Sequence, residues 1–398
     1  MDVRELRRRF PALREERGAP LDNAATTHRP AAVIEALAAF YSGPNANVHR
    51  ASHRRARQAT ELYEQARRRV ARFLLAEPRE VVFTRNATEA INLAARGWAE
   101  ARLSSGDTVA VTALEHHSNL VPWQQVCART GARLLVLPVD ARGRLRVPDA
   151  LPARTRILAA TRVSNALGTL VDTSALVDLA HAAGAAVLLD LAQAAGHLPL
   201  DEGSRRADFL ALSAHKMYGP MGLGVLVARG ERADELSPVA FGGEMVSSVS
   251  ATEAVWQAPP LRFEAGTPPV AEAHAFTAAL DLIEELGADA LRAHELDLLE
   301  RLLAGLAEVP GVRLEGPERA AERSGSVALS LPDGDPLVAA AVLDEAGVAV
   351  RAGFHCAEPL HHALGLGPTL RASVAAYTTY EDVERLLAAL PDAVSAAC

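Results

Sequence analysis

Lysine is almost missing from this sequence of 398 residues. Of its 41 basic residues, 40 are Arg and one is Lys, at position 216. A chain of this length and ordinary composition carries roughly twenty. Mutational bias towards Ala and Arg explains the loss of Lys elsewhere, but not the survival of one. Arg replaces Lys as a surface charge. It does not form an imine at neutral pH, because its guanidinium stays protonated. Lys216 is therefore the first place to look for covalent chemistry.

Other scarcities exclude whole classes. Three cysteines, at 127, 356 and 398, give no disulfide framework. No apolar run approaches the twenty or so residues that would span a membrane. The opening Met1-Asp-Val-Arg-Glu lacks the apolar segment of a signal peptide. The expectation is a soluble, cytoplasmic protein. A net charge of −8 and a pI near 5.9, with no basic block, give no electrostatic case for nucleic acid. The Arg-rich stretch from Arg50 to Arg72 is interleaved with Glu and apolar residues and reads as the solvated face of a helix. Hydrophobic content of 49% and charged content of 23% argue for a globular chain rather than a disordered one.

What is present is an alternation. The first twenty residues read as a charged helix and a turn ending at Pro20. Leu62, Ala66, Val70 and Phe73 recur at helical spacing. Seven short apolar runs follow, separated by helical stretches: 81–84, 108–112, 133–137, 157–163, 186–190, 209–213 and 225–228. Such alternation predicts a mainly parallel sheet of seven strands covered on both faces. Helices over 271–286 and on to 307, then strands near 327–331, 348–351 and 370–374, predict a smaller α+β domain at the C-terminal end. The expected division is a helical segment over 1–20, a large domain over 21–262 and a small domain over 263–398.

Open parallel sheets bind ligands beyond the carboxyl ends of their strands, so the residues there carry the chemistry. Thr84-Arg-Asn-Ala-Thr88 leads into a helix. It is either a phosphate cradle or a plain N-cap. His116 and His117 follow the second run. With no accompanying Cys or carboxylate pattern they are not expected to hold a metal. One flat imidazole lying on an aromatic ligand and a hydrogen-bonded loop His are both open. Asp190 closes the most apolar strand, where a carboxylate needs a partner, and a protonated ring nitrogen would serve. Gln193 lies three residues on. Ser213-Ala-His215-Lys216 ends the next run, which puts the lone amine near Asp190 on a neighbouring strand end. Pyridoxal phosphate needs such a set: a Lys, an acid for the ring nitrogen, a phosphate cradle and a stacking group.

Eight motifs extend this reading. They are Leu21-Asp-Asn-Ala-Ala-Thr-Thr, Asn45-Ala-Asn-Val-His-Arg, Glu115-His-His-Ser-Asn-Leu-Val-Pro-Trp, Arg162-Val-Ser-Asn-Ala-Leu-Gly, Asp190-Leu-Ala-Gln-Ala, Ser213-Ala-His-Lys-Met-Tyr-Gly-Pro, Arg262-Phe-Glu-Ala-Gly-Thr-Pro and Arg351-Ala-Gly-Phe-His-Cys-Ala. In this order, over nearly the whole chain, they resemble the class V aminotransferase-like family of fold-type I pyridoxal-phosphate enzymes. Within it they resemble the SUF-type cysteine desulfurases and selenocysteine lyases, which mobilise sulfur for iron–sulfur cluster assembly.

The resemblance implies a role for each residue. Lys216 forms the Schiff base and Asp190 pairs with the pyridine nitrogen. Gln193 bonds the ring 3′-oxygen. His116 stacks on the ring and shuttles protons. Ala87, Thr88, Ser213 and His215 lie at the phosphate, with Thr267 supplied by the other subunit of a homodimer. Asn165 and Arg371 bind the substrate carboxylate, with Arg351, Asn23 and Ala24 beside the substrate. Cys356 is the nucleophile that takes sulfur from L-cysteine as a persulfide, leaving alanine, with His355 and Arg351 favouring its thiolate. Phe354 and Ala87 depart from the usual His and hydroxyl residue. The lack of a long insertion before Cys356 resembles the subgroup that hands sulfur to a separate acceptor protein. The alternatives are selenocysteine lyase activity, or a C–S lyase, epimerase or aminotransferase of the same class, which would have no need of Cys356.

Overall fold

The structure, a computed structural model, describes residues 2–14, 18–50 and 52–398. Part of the turn expected before Pro20 lies outside the described residues. The seven apolar runs form seven strands: β1 (Val81–Thr84), β2 (Thr108–Thr112), β3 (Arg133–Leu137), β4 (Thr155–Thr161), β5 (Ala186–Asp190), β6 (Phe209–Ser213) and β7 (Gly224–Ala228). They join in the order β1-β7-β6-β5-β4-β2-β3. The five strands from β6 to β3 run parallel. β7 runs antiparallel between β6 and β1.

These strands are apolar throughout because both faces are covered. Ala110, Leu158 and Ala160 face one core with Tyr63, Val70 and Phe276. Their neighbours Val109, Val111, Ile157 and Ala159 face a second core with Ile91, Trp98 and Trp123. The period of two along each strand thus feeds two cores. In register, Thr161 pairs with Asp190, while Ser213 and Thr84 both pair with Gly224. The polar residues closing each strand therefore stand in a row along one edge.

The C-terminal unit is a four-stranded antiparallel sheet of β8 (Arg313–Glu315), β9 (Ser326–Ser330), β10 (Arg351–Gly353) and β11 (Thr369–Ser373), in the order β8-β9-β11-β10. Its core holds Leu298, Leu302, Val327, Leu370 and Leu386. The helix Val270–Leu286 packs with Phe276 and Leu280 in the large core, against the helices Ala31–Ser42 and Arg54–Phe73. It lies on the C-terminal side of the boundary expected at 262 and packs in the large core. The N-terminal segment is also divided: Leu6, Phe10 and Leu13 enter the large core, whereas Ala19 and Leu21 enter the small one. Ala19–Pro20 pairs in parallel with Val348–Ala349.

The Arg-rich helix is not simply a solvated face. Arg67 is 1% exposed and makes two hydrogen bonds to Glu264, at 2.7 and 2.9 Å, and one to the Val81 carbonyl at 2.8 Å. Arg69 is buried against Asp281 and Glu284. A hairpin of Val246–Val249 and Ala254–Trp256 exposes Val249, Val255 and Trp256 beside the exposed Phe241. Among the described residues no helix is long and apolar enough to cross a membrane.

Candidate active site

A cavity of about 320 Å³ opens at the carboxyl edge of the large sheet, closed on one side by the small unit. The strand ends supply Asp190 and Ser213, the loop after β6 supplies Lys216, and the small unit supplies Arg351, His355, Cys356 and Arg371. Ala24, Ala87, Thr88, His116, Asn165, Gln193 and His215 also line it. Two of the expected residues do not. Asn23 is buried behind the wall. Its amide donates to the Pro20 and Ser373 carbonyls, both at 2.7 Å, and its oxygen accepts from the Tyr377 hydroxyl. That spends the side chain on fixing the loop that carries Ala24. Thr267 is exposed and stands outside the cavity of its own chain.

The helix Ala87–Ala94 points its N-terminus at the cavity. Asn86 caps it by accepting from the Glu89 N–H at 2.9 Å, and the Ser213 hydroxyl accepts from the Ala87 N–H at 2.8 Å. The N-cap that the sequence allowed is thus made, and it stands at the cavity wall. Gly224 is required behind it, since a Cβ there would stand 2.4 Å from the Asn86 backbone. Thr88 shares a hydrogen bond of 2.7 Å with Ser118. The loop carrying Lys216 is tied down by Thr26 and Thr27, whose hydroxyls donate to the His215 carbonyl.

The charges in this pocket are perturbed for stated reasons. Burial pushes the Lys216 amine down to about 8, against an upward pull from Asp190. Burial raises the Asp190 carboxyl, whose Oδ1 accepts from the Ala192 N–H at 2.9 Å. Burial and then the Lys216 charge push His116 down to about 3. The ring is held by its Nδ1, which accepts from the Ser118 N–H at 3.0 Å. His215 falls to about 4 for the same two reasons. The imidazoles here are neutral at physiological pH, and the amine is partly so.

Residues that the sequence reading passed over organise this set. Asp22 bonds both Arg351 and Arg371, at 2.9 Å each. Arg371 also donates to the Asn165 carbonyl at 3.0 Å, and its buried Nε has no partner. Glu115 is buried under the floor, accepting from Thr112, Asn119 and the Thr161 N–H, and burial raises it to about 8. Asp22 and Glu115 lie inside quoted motifs, which was the only signal for either. Gln193 donates to the Ala24 carbonyl at 2.7 Å. Cys356 is exposed at the rim. Among the described residues no group of three His, Cys, Asp or Glu side chains is placed to hold a metal ion.

Comparison with known proteins follows this geometry. Residues 20–386 match the aminotransferase class-V family. The chain is 44% identical over 397 residues to a cysteine desulfurase of Synechococcus elongatus, covering 98% of this chain and 63% of that protein. It is 43% identical to a cysteine desulfurase of Cronobacter sakazakii, covering 98% and 97%. The chain thus spans under two thirds of the Synechococcus relative and nearly all of the Cronobacter one. The apo structure of a cysteine desulfurase from Thermococcus onnurineus superimposes with a TM-score of 0.94, at 36% identity and 98% coverage of both chains.

Proposed function

The chain belongs to the aminotransferase class-V family, and from that premise we propose that it is a pyridoxal-phosphate-dependent cysteine desulfurase. It converts L-cysteine to L-alanine and holds the sulfur as a persulfide on Cys356. The observation that carries this reading is the placement of an exposed Cys356 on the same cavity as Lys216, Asp190 and Arg371.

The residues present fit the cofactor. Asp190 is buried and meets a single N–H donor among the described residues, so a protonated ring nitrogen supplies what it lacks. No described side chain pairs with the Lys216 amine, which leaves it for an aldehyde. Ser213 spends its oxygen on the Ala87 N–H and keeps its proton to donate to a phosphate. With Thr88, His215 and the helix N-terminus it forms the phosphate end. His116 would face the ring and Gln193 would meet its 3′-oxygen. Thr267, exposed and outside its own cavity, serves the phosphate of a second copy. The apolar surface of Phe241, Val249, Val255 and Trp256 supports that homodimer. When bound, the cofactor supplies an electron sink for charge developing at the substrate α-carbon.

The chain's own residues do the rest. The Arg371 Nε, buried and without a partner, meets the substrate carboxylate, with Asn165 beside it and Asp22 fixing the guanidinium's orientation. Arg351 closes the same end. The unprotonated amine of Lys216 accepts a proton from the substrate side, while the neutral His116, whose Nδ1 is taken by the Ser118 N–H, presents an Nε2–H that can donate. The thiolate of Cys356 forms the S–S bond as the substrate's Cβ–S bond breaks, the electron pair of that bond passing to the carbon fragment that is protonated to alanine, and the exposure of Cys356 at the rim lets a separate acceptor protein collect the persulfide. Three unpaired cysteines suit a reducing, cytoplasmic setting.

Incubation with L-cysteine, with and without reductant, tests the reading. Alanine and sulfide appear with reductant, and without it a persulfide mass shift maps to Cys356. A keto acid or racemised cysteine as main product, or full alanine formation by Cys356→Ala, overturns it.

A further inference from the structure

Behind Cys356 lies a chain of polar groups whose protons can be assigned from their partners. The His361 Nδ1 stands 3.1 Å from the Ala357 carbonyl, an acceptor only, so this nitrogen carries the proton. Burial lowers the His361 pKa, and the neutral ring therefore presents a bare Nε2. The Thr369 hydroxyl, 3.2 Å away, donates to that Nε2. Having spent its proton, the Thr369 oxygen accepts from the His355 Nε2 at 3.0 Å. His355 is thus held as the Nε2–H tautomer, and its Nδ1 is left with a free lone pair. That Nδ1 is buried and has no hydrogen-bond partner, in a residue only 7% exposed that lines the cavity. A buried acceptor without a donor costs about 1–3 kcal/mol, so its retention calls for a function.

The neighbouring backbone points the same way. His355 and Cys356 both adopt left-handed conformations, at φ of 52° and 54°, which side-chain-bearing residues rarely do. Two clamps hold them there. Asn165 donates to the His355 carbonyl at 2.6 Å, and the His117 N–H donates to the Cys356 carbonyl at 2.7 Å. The thiol has one torsion and makes no hydrogen bond with the described residues. It belongs to the next residue along the chain, lines the same cavity as His355 and has a proton to give.

We propose that His355 is a further catalytic residue of this site: its bare Nδ1 takes the proton of the Cys356 thiol, and Thr369 and His361 are positioning residues that hold it in the tautomer able to do so. The S–H bond breaks with its electron pair left on Sγ, an N–H bond forms at Nδ1, and the imidazolium later returns the proton to solvent. Burial first, then the Arg371 charge, and further His361 and Arg351, push the free imidazole down to about 3, so the ring is unprotonated in the free protein but only a weak base there. A substrate carboxylate on Arg371 offsets the second of these and makes the ring more basic when the thiolate is needed.

This inference rests on Cys356 being the nucleophile, and its test is independent of turnover. The holoenzyme, saturated with L-alanine so that a carboxylate occupies Arg371, is alkylated with iodoacetamide at pH 7 and the rate at each Cys is read by peptide mass mapping, with Cys127 and Cys398 as internal references. His355→Gln keeps an N–H for Thr369 and removes the base. The Cys356 rate is expected to fall about tenfold in His355→Gln and in Thr369→Val, and to stay within twofold of wild type in Thr369→Ser. An unchanged rate in His355→Gln, or a Thr369→Ser rate as low as that of Thr369→Val, overturns the relay. Alanine formation by Cys356→Ala would instead overturn the functional reading beneath it.

Discussion

The lone lysine permits a titration that few proteins allow. Burial pushes the Lys216 amine down to about 8, while Asp190 pulls it up. At pH 7 about 9% of such amines are unprotonated, against about 0.03% at an ordinary lysine pKa, a gain of about 300-fold in reactive nucleophile. The perturbation is Asp190→Asn. Removing the carboxylate removes the upward pull, so the amine loses its proton more readily. Burial, the larger cause, remains. The assay follows Schiff-base formation when pyridoxal phosphate is added to the apoprotein between about pH 6 and 10. Borohydride reduction and peptide mapping then confirm that Lys216 carries the label. Wild-type protein is expected to show a midpoint near 8, and Asp190→Asn a lower one. Lys216→Arg retains only the α-amine and defines the background. A wild-type midpoint near 10 would refute the desolvation argument. An upward shift in Asp190→Asn would refute the placement of the carboxylate's field on the amine.

Three further outcomes follow from contacts already described. Gly224→Ala places a Cβ 2.4 Å from the Asn86 backbone, so the helix N-terminus must move. Cofactor affinity is expected to fall about tenfold, about 1.4 kcal/mol, in equilibrium dialysis; unchanged retention would remove the cradle from the argument. Glu264→Ala takes from the buried Arg67 guanidinium the carboxylate that meets it twice and leaves only the Glu64 contact at 3.1 Å, at a cost of about 3 kcal/mol in denaturant unfolding, while a double Arg67→Met, Glu264→Leu variant recovers most of it. Arg371→Lys keeps the charge but gives up the fork that meets the Asn165 carbonyl and Asp22 together. KM for L-cysteine is expected to rise at least tenfold, and an unchanged KM would place the substrate carboxylate elsewhere.

The site's charge-bearing ends were legible in the sequence for a physical reason. Asp190 closes one apolar run, Lys216 and the uncharged Thr88 follow two others, and a parallel sheet brings every such end to one edge. The strand pattern therefore carries both fold and address. What was not legible is what holds those ends in register with the small unit. Asp22 reaches Arg371 across 349 positions, Asn165 reaches the His355 carbonyl across 190, and no local period encodes either. Arg67 misled for a related reason: helical spacing gives a face, but only Glu264, far along the chain, shows that this face turns inward. The exposed hairpin before residue 257 was missed because its apolar residues face outward, so no buried face imposed alternation. The same logic separates two kinds of error in a pocket of this type. The residues we propose for the cofactor lie at strand ends and can be read locally. Residues that set their protonation, such as Thr369 behind His355, follow only from counting donors against acceptors once the two units are packed, and it is there that the reactivity of Cys356 is decided.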